Sequence, residues 1–150
     1  MPGTTDKLNT ILKNTKPERI ADYLNDNTDD FLPERKPFAE YFRSRVREKG
    51  LKQQEVFLNA DISEGYGYKL ISEEKHTRQR DTLLRLCLGA HLDLDEAQRA
   101  LKIYGMAPFY SRLPRDSVLM VAFSSGTFEI SEVNTLLIKN KMPPLKGTEE

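Results

Sequence analysis

Residues 51–73, LKQQEVFLNADISEGYGYKLISE, read as two short helices joined by a tight corner, and the remaining chain is organised around them. Within 53–60, Val56, Phe57 and Ala60 recur at helical spacing. Asp61-Ile62-Ser63 is the corner, and aspartate tolerates the left-handed backbone that such corners often need. Ser63 or Glu64 opens a second helix holding Tyr66, Leu70 and Ile71, which closes before the polar run 72–75. A helix of about nine residues is not stable alone in water, so this pair must lean on its neighbours.

The flanking sequence supplies them. Upstream, Phe38, Phe42 and Val46 fall at i, i+4 and i+8 with Tyr41 beside them, and Gly50 stands where a helix C-terminus favours glycine. Downstream, 79–90 is expected to place Leu83, Leu86, Cys87 and Ala90 on one face. Asp93 and Glu96 have the spacing of a capping box that opens a helix over 94–104, ended by Gly105.

Five short helices over 37–104, with the corner between the second and third, resemble the lambda-repressor-like (XRE-type) helix-turn-helix family. The register is carried by GLKQQEV, ADIS, KLISEE and TLLRLCLGAHLDLDEA. The resemblance implies an all-α, five-helix DNA-binding domain whose second motif helix enters the major groove of double-stranded DNA. Carried over residue by residue, Gln53 takes the position that clamps a phosphate or a neighbouring side chain. Ser63 starts the recognition helix, and Glu64, Gly65, Tyr68 and Lys69 take its base-facing side. Arg43, Arg45, Arg47, Lys49, Lys52, Lys75, Arg78 and Arg80 form the pool for phosphate contacts.

Two positions depart from the family pattern together. Phe57 stands where the motif has Ala or Gly, and Gly67 stands where it has a branched apolar residue. A large side chain on one helix then fills the volume vacated on the other, a change that cores tolerate when total volume is kept. Gly65 and Gly67 each cost about 1 kcal/mol against alanine inside a helix, so the recognition helix is intrinsically weak.

At 150 residues the chain has room for one domain with a helical extension, and its 38% apolar and 31% charged residues are ordinary for a soluble helical protein. Lys+Arg and Asp+Glu both number 23, so no global field draws the chain to nucleic acid. Residues 37–80, with nine basic and seven acidic side chains, are the only positive section. Cys87 is the sole cysteine, which precludes an intrachain disulfide and fits a reducing cytoplasm. The unbroken apolar run 118–123 is far too short to span a bilayer. MPGTTDKLNT has no signal-peptide apolar region, so a cytoplasmic location is expected.

The ends of the chain are also expected to be helical. Residues 1–36 carry Leu8, Ile11 and Leu12 on one helix and Ile20, Tyr23 and Leu24 on another, started by Pro17, and these helices either pack on the core or serve as an arm. The apolar link Phe31-Leu32-Pro33 follows. After the domain at 37–105, residues 106–145 form a C-terminal extension. In it, Pro114 begins a helix whose VLMVAF run is apolar nearly all round and hence buried on more than one side. A last helix over 129–140 turns Ile130, Val133, Leu136 and Leu137 inward, and 146–150 is expected to be a loose, disordered tail. This hairpin either completes the core or pairs with another subunit. The extension and the YGYKL helix are similar to a group of bacterial proteins that join a lambda-repressor-like domain to added helices.

No catalytic, cofactor or metal constellation emerges. His76 and His91 lack Cys or carboxylate partners at ligand spacing, and Gly65-x-Gly67 has no preceding strand to make a phosphate loop. Two functions are expected. In the first, the chain is a DNA-binding transcriptional regulator, read as a homodimer by the family resemblance. In the second, it is a non-catalytic adaptor that meets a protein partner through Tyr66 and Tyr68 or through 109–113.

Overall fold

The computed structural model describes residues 3–31 and 35–149, and every element in them is helical. The chain separates into two units, 1–35 and 36–150.

In the first unit, Thr4 caps α1 (Thr5–Lys13) by accepting a bond from the Lys7 amide at 3.2 Å. Pro17 starts a 3-10 turn, Pro17–Arg19, which runs into α2 (Ile20–Asp26). Among the described residues of this unit Tyr23 is the buried side chain, and it meets Phe31 edge-on at 6.0 Å. Leu32 and Pro33 of the expected apolar link lie outside the described residues.

The second unit builds its core from seven helices among the described residues. Pro37 occupies the first turn of α3 (Pro37–Glu48), where its missing N–H costs nothing. Gly50 then takes φ +70°. α4 (Gln53–Ala60), α5 (Glu64–Ile71), α6 (Arg80–Gly89) and α7 (Leu94–Tyr104) follow. α7 opens on the capping box: Asp93 accepts from the Glu96 amide at 2.8 Å and Glu96 accepts from the Asp93 amide at 3.0 Å. Gly105, at φ 89°, closes it. α8 (Pro114–Ser125) ends on Gly126, at φ 75°, and α9 (Ile130–Lys139) comes last.

The hub is α6, which packs on α4, α7 and α9. Its sequence predicts one apolar face, but every residue from Asp81 to Ala90 is buried, including Thr82, Leu84, Arg85 and Leu88. The difference arises because residues 145–147 close over the side that the three helices leave open. Arg85 donates to the carbonyls of Lys146 at 2.6 Å, Leu145 at 3.2 Å and Ala60 at 3.2 Å. Gly89 lies so close to α4 that a Cβ there would meet the Val56 carbonyl oxygen at 2.4 Å. Cys87 is wholly enclosed, and burial pushes its thiol up to about 12, so it stays a protonated core side chain.

Two further expectations are corrected. α8 buries Leu119, Ala122 and Phe123 but leaves Val121 58% exposed, because α7 and α9 cover only part of its circumference. The expected loose tail is docked through residue 149. Leu145 is buried, the Lys146 amide donates to Asp81 at 2.9 Å, and Gln79 donates to the Gly147 carbonyl at 2.7 Å. Polar residues hold the tail by hydrogen bonds to groups that α6 and the preceding loop would otherwise bury unpaired. The C-terminal hairpin completes the core, adding Leu119, Ala122, Phe123, Val133, Leu137 and Leu145 to the cluster of α3–α7.

Candidate nucleic-acid interface

The corner between α4 and α5 is built as its residue types require. Asp61 adopts φ 54°, ψ 50°, and the Ile62 amide reaches back to the Phe57 carbonyl at 3.0 Å, closing α4. Ser63 is extended at φ −60°, ψ 144°, and leads into α5. Ile62 is buried under the turn, so the corner is pinned from inside.

Phe57 and Gly67 form the interlock expected of them. A Cβ on Gly67 would lie 2.4 Å from Phe57 Cδ1 and 2.6 Å from Cε1, inside van der Waals contact. Phe57 is 1% exposed, and Tyr68 closes over it edge-on with ring centroids 4.9 Å apart. The inner face of α5 is therefore Tyr66, Gly67, Leu70 and Ile71, and its outer face carries Glu64, Gly65, Tyr68 and Lys69.

Of the other candidate residues, Ser63, Lys52, Lys75 and Arg78 are exposed, while Gln53 and Arg43 are half-buried. The helix-to-helix bridge is made by Gln54, one residue past the expected Gln53: its amide donates to Glu64 at 3.1 Å. That bond draws the Glu64 carboxylate back onto α4. The link joins residues ten apart across a corner, which periodicity does not reveal.

The pool of cations is smaller than composition implies. Arg45 and Lys49 pair with Glu96 at 3.3 and 2.6 Å, and Arg80 grips Asp116 with two bonds of 2.7 and 3.1 Å. Burial alone would push the Glu96 carboxyl up, but Lys49, the Asp93 amide and Arg45 hold it below the usual range. Exposed Arg47, Lys52, Lys69, Lys75 and Arg78 remain, with half-buried Arg43.

The loop after α5 is tied at both ends. Glu73, at φ 63°, accepts from the Ala39 amide at 3.2 Å, and Lys36 donates to the Ser72 carbonyl at 3.3 Å. Behind α5, the Tyr66 hydroxyl donates to Glu149 at 3.0 Å, and Thr77 and Thr82 donate to the same carboxylate, Thr82 at 2.8 Å. Tyr66 is 9% exposed, so it is a support of α5 from within and offers no outward contact. The adaptor expectation is corrected there, and also at Phe109, which is buried against Phe123. Tyr68, Tyr110 and Leu113 remain exposed, and Leu58 on α4 is 81% exposed, a position the expected surface omits although the spacing of Val56, Phe57 and Ala60 turns it outward.

A surface groove of about 820 Å³ opens beside Glu55, Asp61, Arg85, His91 and Glu129. Its acids outnumber its arginine, so it does not extend the basic surface. His91 stacks on Phe128 at 5.0 Å and His76 on Tyr104 at 4.2 Å. Among the described residues no group of three or more His, Cys, Asp or Glu could hold a metal ion, and no helix is long and apolar enough to cross a membrane. Comparison with family models, with curated proteins and with solved structures gives no match, so the geometry of this surface carries the functional argument.

Proposed function

We propose that the chain is a DNA-binding transcriptional regulator of the lambda-repressor-like helix-turn-helix type, acting in a bacterial cytoplasm. On this reading α3–α7 are its five helices, and α5 enters the major groove with Glu64, Gly65, Tyr68 and Lys69 toward the bases. One observation carries the reading: two eight-residue helices meet at a left-handed aspartate, and the second keeps four buried residues inward while a separate face stays exposed. Lys52, Lys69, Lys75 and Arg78 supply phosphate contacts from the exposed cations. Glu64 can accept from cytosine N4 through the carboxylate oxygen that its bond to Gln54 leaves unused.

The test is duplex binding titrated with salt. Affinity falls with salt on a logarithmic slope of about 0.9 per phosphate neutralised, so wild type should weaken steeply from low to physiological salt. Lys52→Glu with Lys69→Glu should abolish binding and leave the melt within about 0.5 kcal/mol, since both side chains are exposed. Absence of salt-dependent binding to any duplex would sink the regulator.

A second reading, a protein-interaction adaptor, is favoured by Leu58 at 81% and Tyr68 at 38% exposure on the same helix pair. Leu58→Ser should leave duplex affinity unchanged under the first reading and lower partner affinity under the second.

A further inference from the structure

We propose that the track along α6 that holds residues 145–149 is a peptide-recognition groove, filled here by the chain's own segment. Its ligand is an extended segment of a partner protein, with a leucine followed four positions later by a glutamate, the spacing of Leu145 and Glu149. Residues 143–149 form no helix or strand, and the groove grips them largely through main-chain atoms. The Leu145 amide donates to Asn134 at 2.8 Å and the Lys146 amide to Asp81 at 2.9 Å. Arg85 donates to the carbonyls of both residues, and Gln79 donates to the Gly147 carbonyl at 2.7 Å. Contacts of this kind are blind to side-chain identity, and they are how a site takes hold of an extended backbone.

Two anchors supply the selection. Leu145 is 4% exposed and joins the apolar core, whereas Lys146 and Gly147 between the anchors are exposed. At the far end, the hydroxyls of Tyr66, Thr77 and Thr82 converge on the Glu149 carboxylate. Every recognising group lies on residues 66–134, outside the segment, so the groove keeps its full set when the segment leaves. Exchange for another segment with the same two anchors remakes each bond, and the net cost is small. Departure without replacement would leave the polar groups to water and uncover the Leu145 site. A short end segment without secondary structure also opens at the low end of local stability.

The test uses the full chain and a synthetic peptide of residues 142–149, MPPLKGTE, with a fluorophore at its amino end. In wild type the tethered segment competes at high effective concentration, so the peptide should bind weakly. Leu145→Asp with Glu149→Lys in the full chain removes both anchors and frees the groove. Fluorescence anisotropy should then show affinity about tenfold or more above wild type, and the melt of the variant should rise with peptide concentration. A peptide with the same two substitutions should bind neither chain, and one with Glu149→Gln alone should bind the variant several-fold more weakly. If the variant melts without cooperativity, the peptide should restore a cooperative transition. A variant that neither binds the peptide nor is stabilised by it overturns the proposal, and equal affinity for the glutamine peptide overturns the glutamate anchor. None of these groups belongs to the outer face of α5, so loss of duplex binding would bear on the regulator reading alone.

Discussion

α5 and α6 are consecutive helices of similar length, eight and ten residues, and they meet opposite fates. α6 is buried at every position after Arg80 and its polar side chains are satisfied: Asp81 by Arg115 and the Lys146 amide, Arg85 by three carbonyls, Thr82 by Glu149. α5 is buried on one face, carries two glycines and depends on Phe57 for its fit. The contrast shows a division of labour. α6 is the post on which the unit is assembled, and α5 is a thin element held in place from behind with its outer face exposed.

The largest effect should come from the interlock that seats α5. Phe57→Ala empties a buried aromatic site and should cost about 3–5 kcal/mol in a denaturant melt. Gly67→Ile alone should also destabilise, since its Cβ meets the Phe57 ring. The double variant should recover part of both losses, with a coupling above about 1 kcal/mol. Simple additivity would mean that the two residues do not share one space.

Next is the buried pair that anchors α6 to α8. Asp81 holds Arg115 through two bonds of 2.9 Å and accepts from the Lys146 amide. Asp81→Ala leaves the 25% exposed Arg115 guanidinium with only the Pro143 and Pro144 carbonyls and the Lys146 amide without its acceptor, so a loss of about 1–3 kcal/mol is expected by calorimetry. Asp81→Leu with Arg115→Met should be milder than Asp81→Ala. If the single variant is the milder one, the pair is dispensable.

Acid should loosen both helices from the same side. Burial pushes the Asp81 carboxyl up, yet Arg115 and the Lys146 amide pull it below the ordinary aspartate range. Glu149 follows the same pattern, with Thr77, Thr82 and Tyr66 as donors. A carboxyl depressed in the folded state stabilises it above the unfolded pKa, and that contribution is lost as pH falls through the folded value. The unfolding midpoint should therefore decline below about pH 4, with Asp81→Asn flattening the decline. Faster amide exchange in α5 for Glu149→Gln at neutral pH would identify the tail contact as its brace, whereas unchanged exchange would remove the brace.

The smallest effect sits on the outer face. A Cβ at Gly65 meets nothing within 4 Å, so Gly65→Ala should raise stability by about 0.5–1 kcal/mol through helix propensity alone. A loss there would mean that α5 needs the flexibility of glycine.

Sequence by itself determined the helices of the second unit and most of their ends, whereas in the first unit the helix expected from Pro17 begins at Ile20, after a 3-10 turn. Local signals sufficed at Gly50, Asp61, Asp93 with Glu96, Gly105 and Pro114, because caps and corners are set by neighbours a few residues away. The Phe57–Gly67 exchange was legible as well, since volume must be conserved between two helices already known to touch. Tertiary structure alone decided the rest. That α6 is enclosed on every side, that Gln54 and not Gln53 bridges to Glu64, that Arg45, Lys49 and Arg80 are spent on Glu96 and Asp116, and that residues 145–149 dock all depend on partners brought together from far along the chain. Hydrophobic periodicity reports which face of a helix is apolar, but not whether a second chain segment will cover the polar face. A charge in the sequence is a free cation or half of a buried pair only once the fold has placed its carboxylate.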